Sequence, residues 1–461
     1  MKKNIASALI STMLIAGSFA CRGGGSSTPT PPAPPAPTYS ISGTVTLSGA
    51  GLYAVTMTLD GGTTATTDAS GNFVFSGLAN GNYSITPTKL GYKFTPASAT
   101  ITISGASVTG QAFTSTAIAS TPFGLRGFNM GGWNPESWAS SMSYYIDLAL
   151  HFAKDEGANM VVMDWAVNFN DNGTMVSRGG PSNPDLRDIL VSINKAKTQG
   201  FYLVLKPHIT LTADPNNRSD WNTNVTAFLP ANFFPAWQEY LNNLATLVSA
   251  SGVDAICIGT ENNFIDWQFK DNWVALIKSL RSNFPGALTY DSLVSQWNNI
   301  KDIKDVVFWD SLDFIACSGY VTLTQDDNAS VDTLRQLFTN NPYGDHHDVI
   351  GYLRGISENY GKQIVTLEGG YQSMNGGLWN VTVNPDNNSI LNNDLQARGL
   401  EAYLWALNVN KQNWLKGCSI WEASPSLMTP DGLSTIWYTM GFSIHGKPSA
   451  NVVKKWFTLT Q

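Results

Sequence analysis

The sequence predicts an α/β protein, a (β/α)8 TIM barrel preceded by a small all-β sandwich. Three features predict it. From Phe123 onward, eight apolar strand-like runs alternate with helical stretches. Between Tyr39 and Phe113, short runs alternate apolar and polar residues in period two. Segments rich in Pro, Ser and Thr separate the blocks and cannot form a core of their own.

The chain has 461 residues, 43% apolar and only 13% charged, enough apolar side chains for a large core. Its 27 basic and 34 acidic residues leave a net charge of −7 without long runs of either sign. This balance argues against a nucleic-acid binder, which would show a basic patch.

The elements follow in order. "MKKN" is basic, "IASALISTMLIAG" is apolar, and "SFA" closes the segment with small residues around one Phe. Residues 1–20 therefore have the three-part form of a secretory signal peptide. The apolar run is too short for a good membrane-spanning helix. Cys21, followed by "RGGGSS", resembles the first residue of a mature bacterial lipoprotein, so export with a lipid anchor at Cys21 is expected, or else plain secretion. Residues 21–38, ending in "SSTPTPPAPPAPT", read as an extended polyproline spacer.

Residues 39–114 contain "YSISGTVTL", "YAVTMTLD", "GNFVFSGL", "GNYSITPTK" and "ATITISG", with Gly, Asn and Asp between them. Short alternating strands at this spacing indicate a β-sandwich. The stretch "TTDASGNFVFSGLANGNYSITPTKLGYKFTP" resembles carboxypeptidase regulatory-like modules, and nothing in it looks catalytic. Residues 115–122 are a second linker.

Residues 123–461 carry the barrel strands "LRGFNM", "NMVVMDWAV", "FYLVLKPHI", "DAICIGTEN", "ALTYDSL", "DFIACSGY", "QIVTLEGGY" and "GCSIWEAS". Amphipathic helical patterns such as "PDLRDILVSINKAKTQG" fall between most of them. A doubly wound sheet is the structural alternative, but no GxGxxG follows a strand. Cys257, Cys317 and Cys418 sit inside apolar runs and read as buried thiols. His346 and His347 lie in a polar loop with no matching ligands, so neither metal nor cofactor is expected.

In a barrel of this kind the chemistry sits at the C-terminal ends of strands. There the sequence places Lys206 and His208, Thr260, Glu261 and Asn262, Tyr290 and Asp291, Tyr320, Glu368, and Trp421 with Glu422. Glu261 and Glu368 each end a nearly continuous apolar run, on the fourth and seventh strands. Two carboxyl groups facing across a cleft are what glycosidic bond cleavage requires, one as proton donor and one as nucleophile. Gly369 and Gly370 are expected to leave space for a sugar ring beside Glu368. Trp133 and Trp379 fall in loops and are candidates for outer subsites.

These residues resemble the clan A glycoside hydrolases, and within the clan the β-mannanases of glycoside hydrolase family 113. The matching pieces run in order: "LVLKPHI", "ICIGTEN", "ALTYDS", "FWDSLDFIACSGY", "VTLEGGY", "WLKGCSIW" and "GKPSANVVKKW". The resemblance implies a retaining mechanism on β-1,4-linked mannan, with Glu261 as acid/base and Glu368 as nucleophile. Lys206, His208, Asn262, Tyr290, Tyr320 and Trp421 complete the expected substrate-binding set; Lys206 and His208 are expected to bind sugar hydroxyls or bias the carboxyl groups, with a structural ion pair as the alternative for Lys206, and Tyr320 is expected to donate to Glu368. Two other functions remain open at this point: a clan A hydrolase of another β-linked glycan, and a non-catalytic carbohydrate-binding surface protein.

Overall fold

The computed structural model describes residues 37–53, 55–60, 63–89, 92–117, 123–132, 143–170, 172–176, 186–211, 228–262, 265–296, 300–381, 385–423 and 436–459. The signal peptide, Cys21 and Trp133 lie outside them. The described residues up to Pro87 together with Thr95–Thr114 form one compact unit, and Thr88–Phe94 together with those from Ser115 onward form the other.

The β-rich region before the barrel has two sheets. One contains β1 (Tyr39–Leu47), β2 (Ala50–Gly51), β5 (Asn72–Leu78), β7 (Tyr92–Thr95) and β9 (Val108–Ala117). The other contains β3 (Thr56–Leu59), β4 (Thr64–Thr66), β6 (Gly81–Thr88) and β8 (Ala99–Ile103). Period-two alternation sets the faces. In β5, Phe73 and Phe75 are buried while Val74 between them is exposed. Ile41, Val45, Met57, Ile85, Ile101 and Phe113 are buried with them.

The second unit is a closed barrel of eight parallel strands, which rules out the doubly wound alternative. They are β10 (Leu125–Gly132), β11 (Met160–Phe169), β12 (Tyr202–Leu211), β13 (Ala255–Thr260), β14 (Ala287–Leu293), β15 (Ile315–Ser318), β16 (Ile364–Glu368) and β17 (Leu415–Ile420). β10 pairs with β17 from Leu125–Gly417 to Phe128–Ile420, which closes the ring. The helices include α1 (Ser143–Asp155), α2 (Leu186–Thr198), α3 (Pro230–Val248), α4 (Lys270–Arg281), α5 (Val331–Gln336), α6 (Val349–Tyr360) and α7 (Asn393–Asn410). Strands buried on both faces explain the nearly unbroken apolar runs, as in β13, where all six residues are buried.

Alternation along the strands also sorts the barrel's two layers. Val161, Met163, Leu203 and Leu205 pack in the core cluster shared with helical residues such as Ile189, Ile193 and Leu241. Met160, Val162, Val204, Ala255, Cys257, Ala316, Val365 and Leu367 form a separate cluster that fills the interior. Continuing the interior parity up β11 and β12 reaches Asp164, Lys206 and His208. The interior is therefore apolar at its base and polar at the end that carries the chemistry. Cys257, Cys317 and Cys418 are free, buried thiols, as the sequence suggested.

Candidate active site

Glu261 follows the last residue of β13 and adopts a positive φ of 48°. That conformation is costly for a residue with a side chain and requires bracing by its surroundings. The bracing is visible. The Glu261 N–H donates to the Asp291 carbonyl at 2.7 Å. The next N–H, of Asn262, donates to the Tyr290 hydroxyl at 2.8 Å. That hydroxyl in turn donates to Asp266 Oδ2 at 3.1 Å. Burial raises the Asp266 carboxyl to about 7, against the Tyr290 hydrogen bond that lowers it. Burial likewise pushes Glu261 up to about 7. The nearby Glu368 charge adds to the rise, while a Ser318 hydrogen bond and Lys206 oppose it.

Glu368 ends β16, in register with Ser318 of β15. Its two oxygens have different partners: Lys206 Nζ contacts Oε1, and the Tyr320 hydroxyl donates to Oε2 at 2.9 Å. Lys206 also reaches Asp291 Oδ2 at 3.4 Å. Burial works against the Lys206 charge, but Glu368, Asp291 and Asp164 outweigh it and hold the ammonium above its ordinary value. The Trp421 ring lies 5.5 Å from Lys206 Nζ, and the Trp421 N–H donates to the Gly369 carbonyl at 2.9 Å. One lysine thus joins the ends of β12, β14, β16 and β17.

Several expected sugar-binding residues sit elsewhere than at a surface. Lys206, Asn262 and Tyr290 have no exposed surface. Tyr290 braces the Glu261 turn from below, and Lys206 is spent on carboxyl groups. His208 is 6% exposed, and burial followed by the Lys206 charge depresses it to about 4, so it is a neutral imidazole near pH 7. Tyr320 and Glu261 are partly exposed, and Trp421 retains 9% of its surface. The two glycines after Glu368 also have a different reason from the one expected. A Cβ on Gly369 would stand 2.3 Å from the Tyr403 hydroxyl, and one on Gly370 would stand 2.8 Å from the Trp421 carbonyl oxygen. They leave room for the protein's own atoms.

Sequence reasoning missed Asp164 and Asn129. Asp164 is fully buried on β11 in register with Lys206, and neither carboxyl oxygen has a hydrogen-bond partner among the described residues. Gly131 on β10 makes its room, since a Cβ there would lie 2.3 Å from Asp164 Oδ1. Burial holds Asp164 well above the ordinary carboxyl value; Lys206 opposes this, and Glu368, Glu422 and Asp291 reinforce it. Asn129 Nδ2 donates to the Leu367 carbonyl at 2.6 Å and to Ser419 Oγ at 3.0 Å, tying β10 to β16 and β17. The available signal was one acid inside the apolar run "NMVVMDWAV".

His346 stacks on Tyr352 with ring centroids 4.1 Å apart, and His347 Nδ1 is bonded to the Asn341 carbonyl at 2.6 Å. Among the described residues no group of His, Cys, Asp and Glu is arranged to hold a metal ion. A shallow cavity lined by Arg354, Glu358, Lys362 and Trp414 lies where β16 and β17 begin, and neither glutamate of the site lines it.

The chain's similarities to known proteins agree with this architecture. Residues 40–116 match the Carboxypeptidase regulatory-like domain, and residues 129–447 match Glycoside Hydrolase Family 113. A solved GH113 β-1,4-mannanase complex is 18% identical with a TM-score of 0.57, covering 74% of this chain and 100% of that one. The GH113 β-mannanase AaManA from Alicyclobacillus acidocaldarius is 20% identical with a TM-score of 0.57, covering 73% of this chain and 98% of that one. At these identities the structural likeness speaks for the fold alone. No curated protein matches the sequence. The family match spans more than half of the chain and settles its membership: it is a glycoside hydrolase and belongs to glycoside hydrolase family 113.

Proposed function

We propose that the chain hydrolyses β-1,4-mannosidic bonds with retention of configuration, using Glu368 as nucleophile and Glu261 as acid/base. The observation that carries this reading is the unequal treatment of the two glutamates. Glu368 has its oxygens held and aimed by Lys206 and Tyr320. Glu261 is pushed up to about 7 and so keeps its proton near neutral pH. Mannan as substrate rests on the family and on the two mannanase relatives.

The chemistry follows from that pair. A Glu368 oxygen attacks the anomeric carbon while Glu261 passes its proton to the departing glycosidic oxygen. The C–O bond to the leaving sugar breaks, and a glycosyl ester forms on Glu368. Esterification removes the Glu368 charge, which is the second cause of Glu261's elevation. Glu261, now deprotonated, therefore becomes a better-stabilised carboxylate and takes a proton from water. The water oxygen attacks the anomeric carbon, the ester bond breaks, and Glu368 is released as a carboxylate. The same reading has the enzyme exported, with lipid on Cys21 or else secreted without it.

The experiment is to follow manno-oligosaccharide hydrolysis by proton NMR and repeat it with alanine at each glutamate. The first product should be the β-anomer. Azide should give the β-azide with Glu261→Ala and the α-azide with Glu368→Ala. An α-anomer as first product, or equal losses without azide products, would remove the retaining assignment.

A further inference from the structure

Two partly exposed aromatic residues of the barrel unit pack on each other. Tyr343 lies between α5 and α6, in the segment that follows β15, and Trp379 lies in the segment that follows β16. Their rings meet edge to face, with centroids 4.7 Å apart and an interplanar angle of 79°. Both are partly exposed. Tyr320, Tyr352, Tyr360 and Trp405 are also partly buried, and all four pack against the hydrophobic core. Tyr343 and Trp379 do not belong to that set. Each ring covers part of the other and the rest stays partly exposed.

The backbones that carry the pair are tied together through Thr322 and Asn341. Thr322 Oγ1 donates to the Trp379 carbonyl at 3.4 Å. The Thr322 carbonyl accepts from Asn341 Nδ2 at 2.8 Å, and Asn341 Oδ1 accepts from the Tyr343 N–H at 2.9 Å. Beside these, the Leu323 N–H donates to the Leu378 carbonyl at 2.8 Å. Thr322 stands two residues after Tyr320, a backbone span of at most about 7 Å. The Tyr320 hydroxyl sits on Glu368. The rings therefore hang from the same short segment that aims the nucleophile.

We infer that Tyr343 and Trp379 form a stacking platform for an outer sugar ring of the glycan chain whose bond the two glutamates cleave. This rests on the functional reading above. A pyranose offers an apolar C–H face and hydroxyl-bearing edges. The ring pair supplies an apolar surface to match the face. Asp345 and Asn380, both exposed and close in sequence to the two rings, supply polar groups at the rim. A rigid aromatic anchor loses little conformational entropy when it binds, which suits a subsite that must register a repeating chain.

The test uses the full chain with Trp379→Ala, Tyr343→Ala and Trp379→Phe, on a length series of whichever β-linked oligosaccharide the wild type cleaves. A short activated aryl glycoside serves as the substrate that reaches the catalytic centre alone. The alanine variants should raise KM for the longer chains by about fivefold to tenfold and leave kcat and KM on the aryl glycoside unchanged. Trp379→Phe should recover most of the loss. A loss of equal size on every substrate would mean a structural role, and no change at any length would mean no platform; either overturns the inference while leaving the hydrolase reading intact. A wild type that cleaves no β-linked glycan overturns both.

Discussion

Replacing Lys206 with methionine tests the charge arrangement most directly. The substitution keeps a long side chain but removes the cation shared by Glu368 and Asp291 and felt by Asp164. Removing one partner of a fully buried ion pair costs about 3–5 kcal/mol. The pH dependence gives a sharper test than the magnitude. Lys206 has a raised folded-state value, so its contribution is fully present below its unfolded value of about 10.4 and does not change between about pH 5 and about pH 8. Asp164 and Asp291 are raised in the fold, so each favours the folded state when protonated and loses that contribution as pH rises from about 3.9 toward the folded value. Lys206 opposes both rises, and without it they grow. In urea unfolding, the loss of stability as pH rises should therefore continue to higher pH in Lys206→Met than in the wild type. Activity should move the same way. Glu261 must hold its proton, so kcat/KM of the wild type should fall as pH rises past about 7. Lys206 lowers Glu261, so in the variant this alkaline limb should shift to higher pH, beneath a lower maximum. A stability loss that ends at lower pH in the variant, or an activity limb that moves to lower pH, would refute the assignment of Lys206 as the shared counter-ion.

Four further outcomes are expected. Tyr320→Phe removes the hydrogen bond to Glu368 Oε2 and should lower kcat/KM about 10- to 100-fold with the fold intact by circular dichroism. Tyr290→Phe leaves the Asn262 N–H and the Asp266 carboxyl without their shared partner, and thermal unfolding should register a loss of about 1–3 kcal/mol. Deleting Met1 to Thr121 should leave a soluble, active barrel, checked by turnover on the same glycan; an insoluble product would mean that the barrel depends on what precedes it. Cys21→Ser should move the protein from the membrane fraction to the soluble one, and an unchanged distribution would dismiss the lipid anchor.

The barrel was legible in the sequence because its strands are parallel and covered on both faces, and so appear as unbroken apolar runs. β13 and β16 show this most plainly, and each leads into a glutamate at the end of the barrel where chemistry is built. Those two carboxyl groups stood out against apolar neighbours, which is a local signal. Asp164 was less visible because one acid inside an apolar run can equally face a helix, a salt bridge or the barrel interior. Its direction depends on strand parity, and its setting depends on Gly131 from another strand.

The sequence by itself determined the eight-strand alternation, the β-sandwich ahead of it and the placement of Glu261 and Glu368 at strand ends, because these follow from local periodicity and from the side-chain types themselves. Only the tertiary structure decided what surrounds the glutamates. Lys206 and Glu368 are 162 residues apart and meet because β12 and β16 face one interior. Tyr290 looked like a cleft residue at a strand end, yet its hydroxyl braces a turn, because the ring is enclosed by Trp273, Phe308 and Trp309. Gly369 and Gly370 looked like space for a ligand and instead admit Tyr403 and Trp421. In each case the deciding quantity is a distance between atoms brought together by barrel closure, and no local pattern in the chain encodes it.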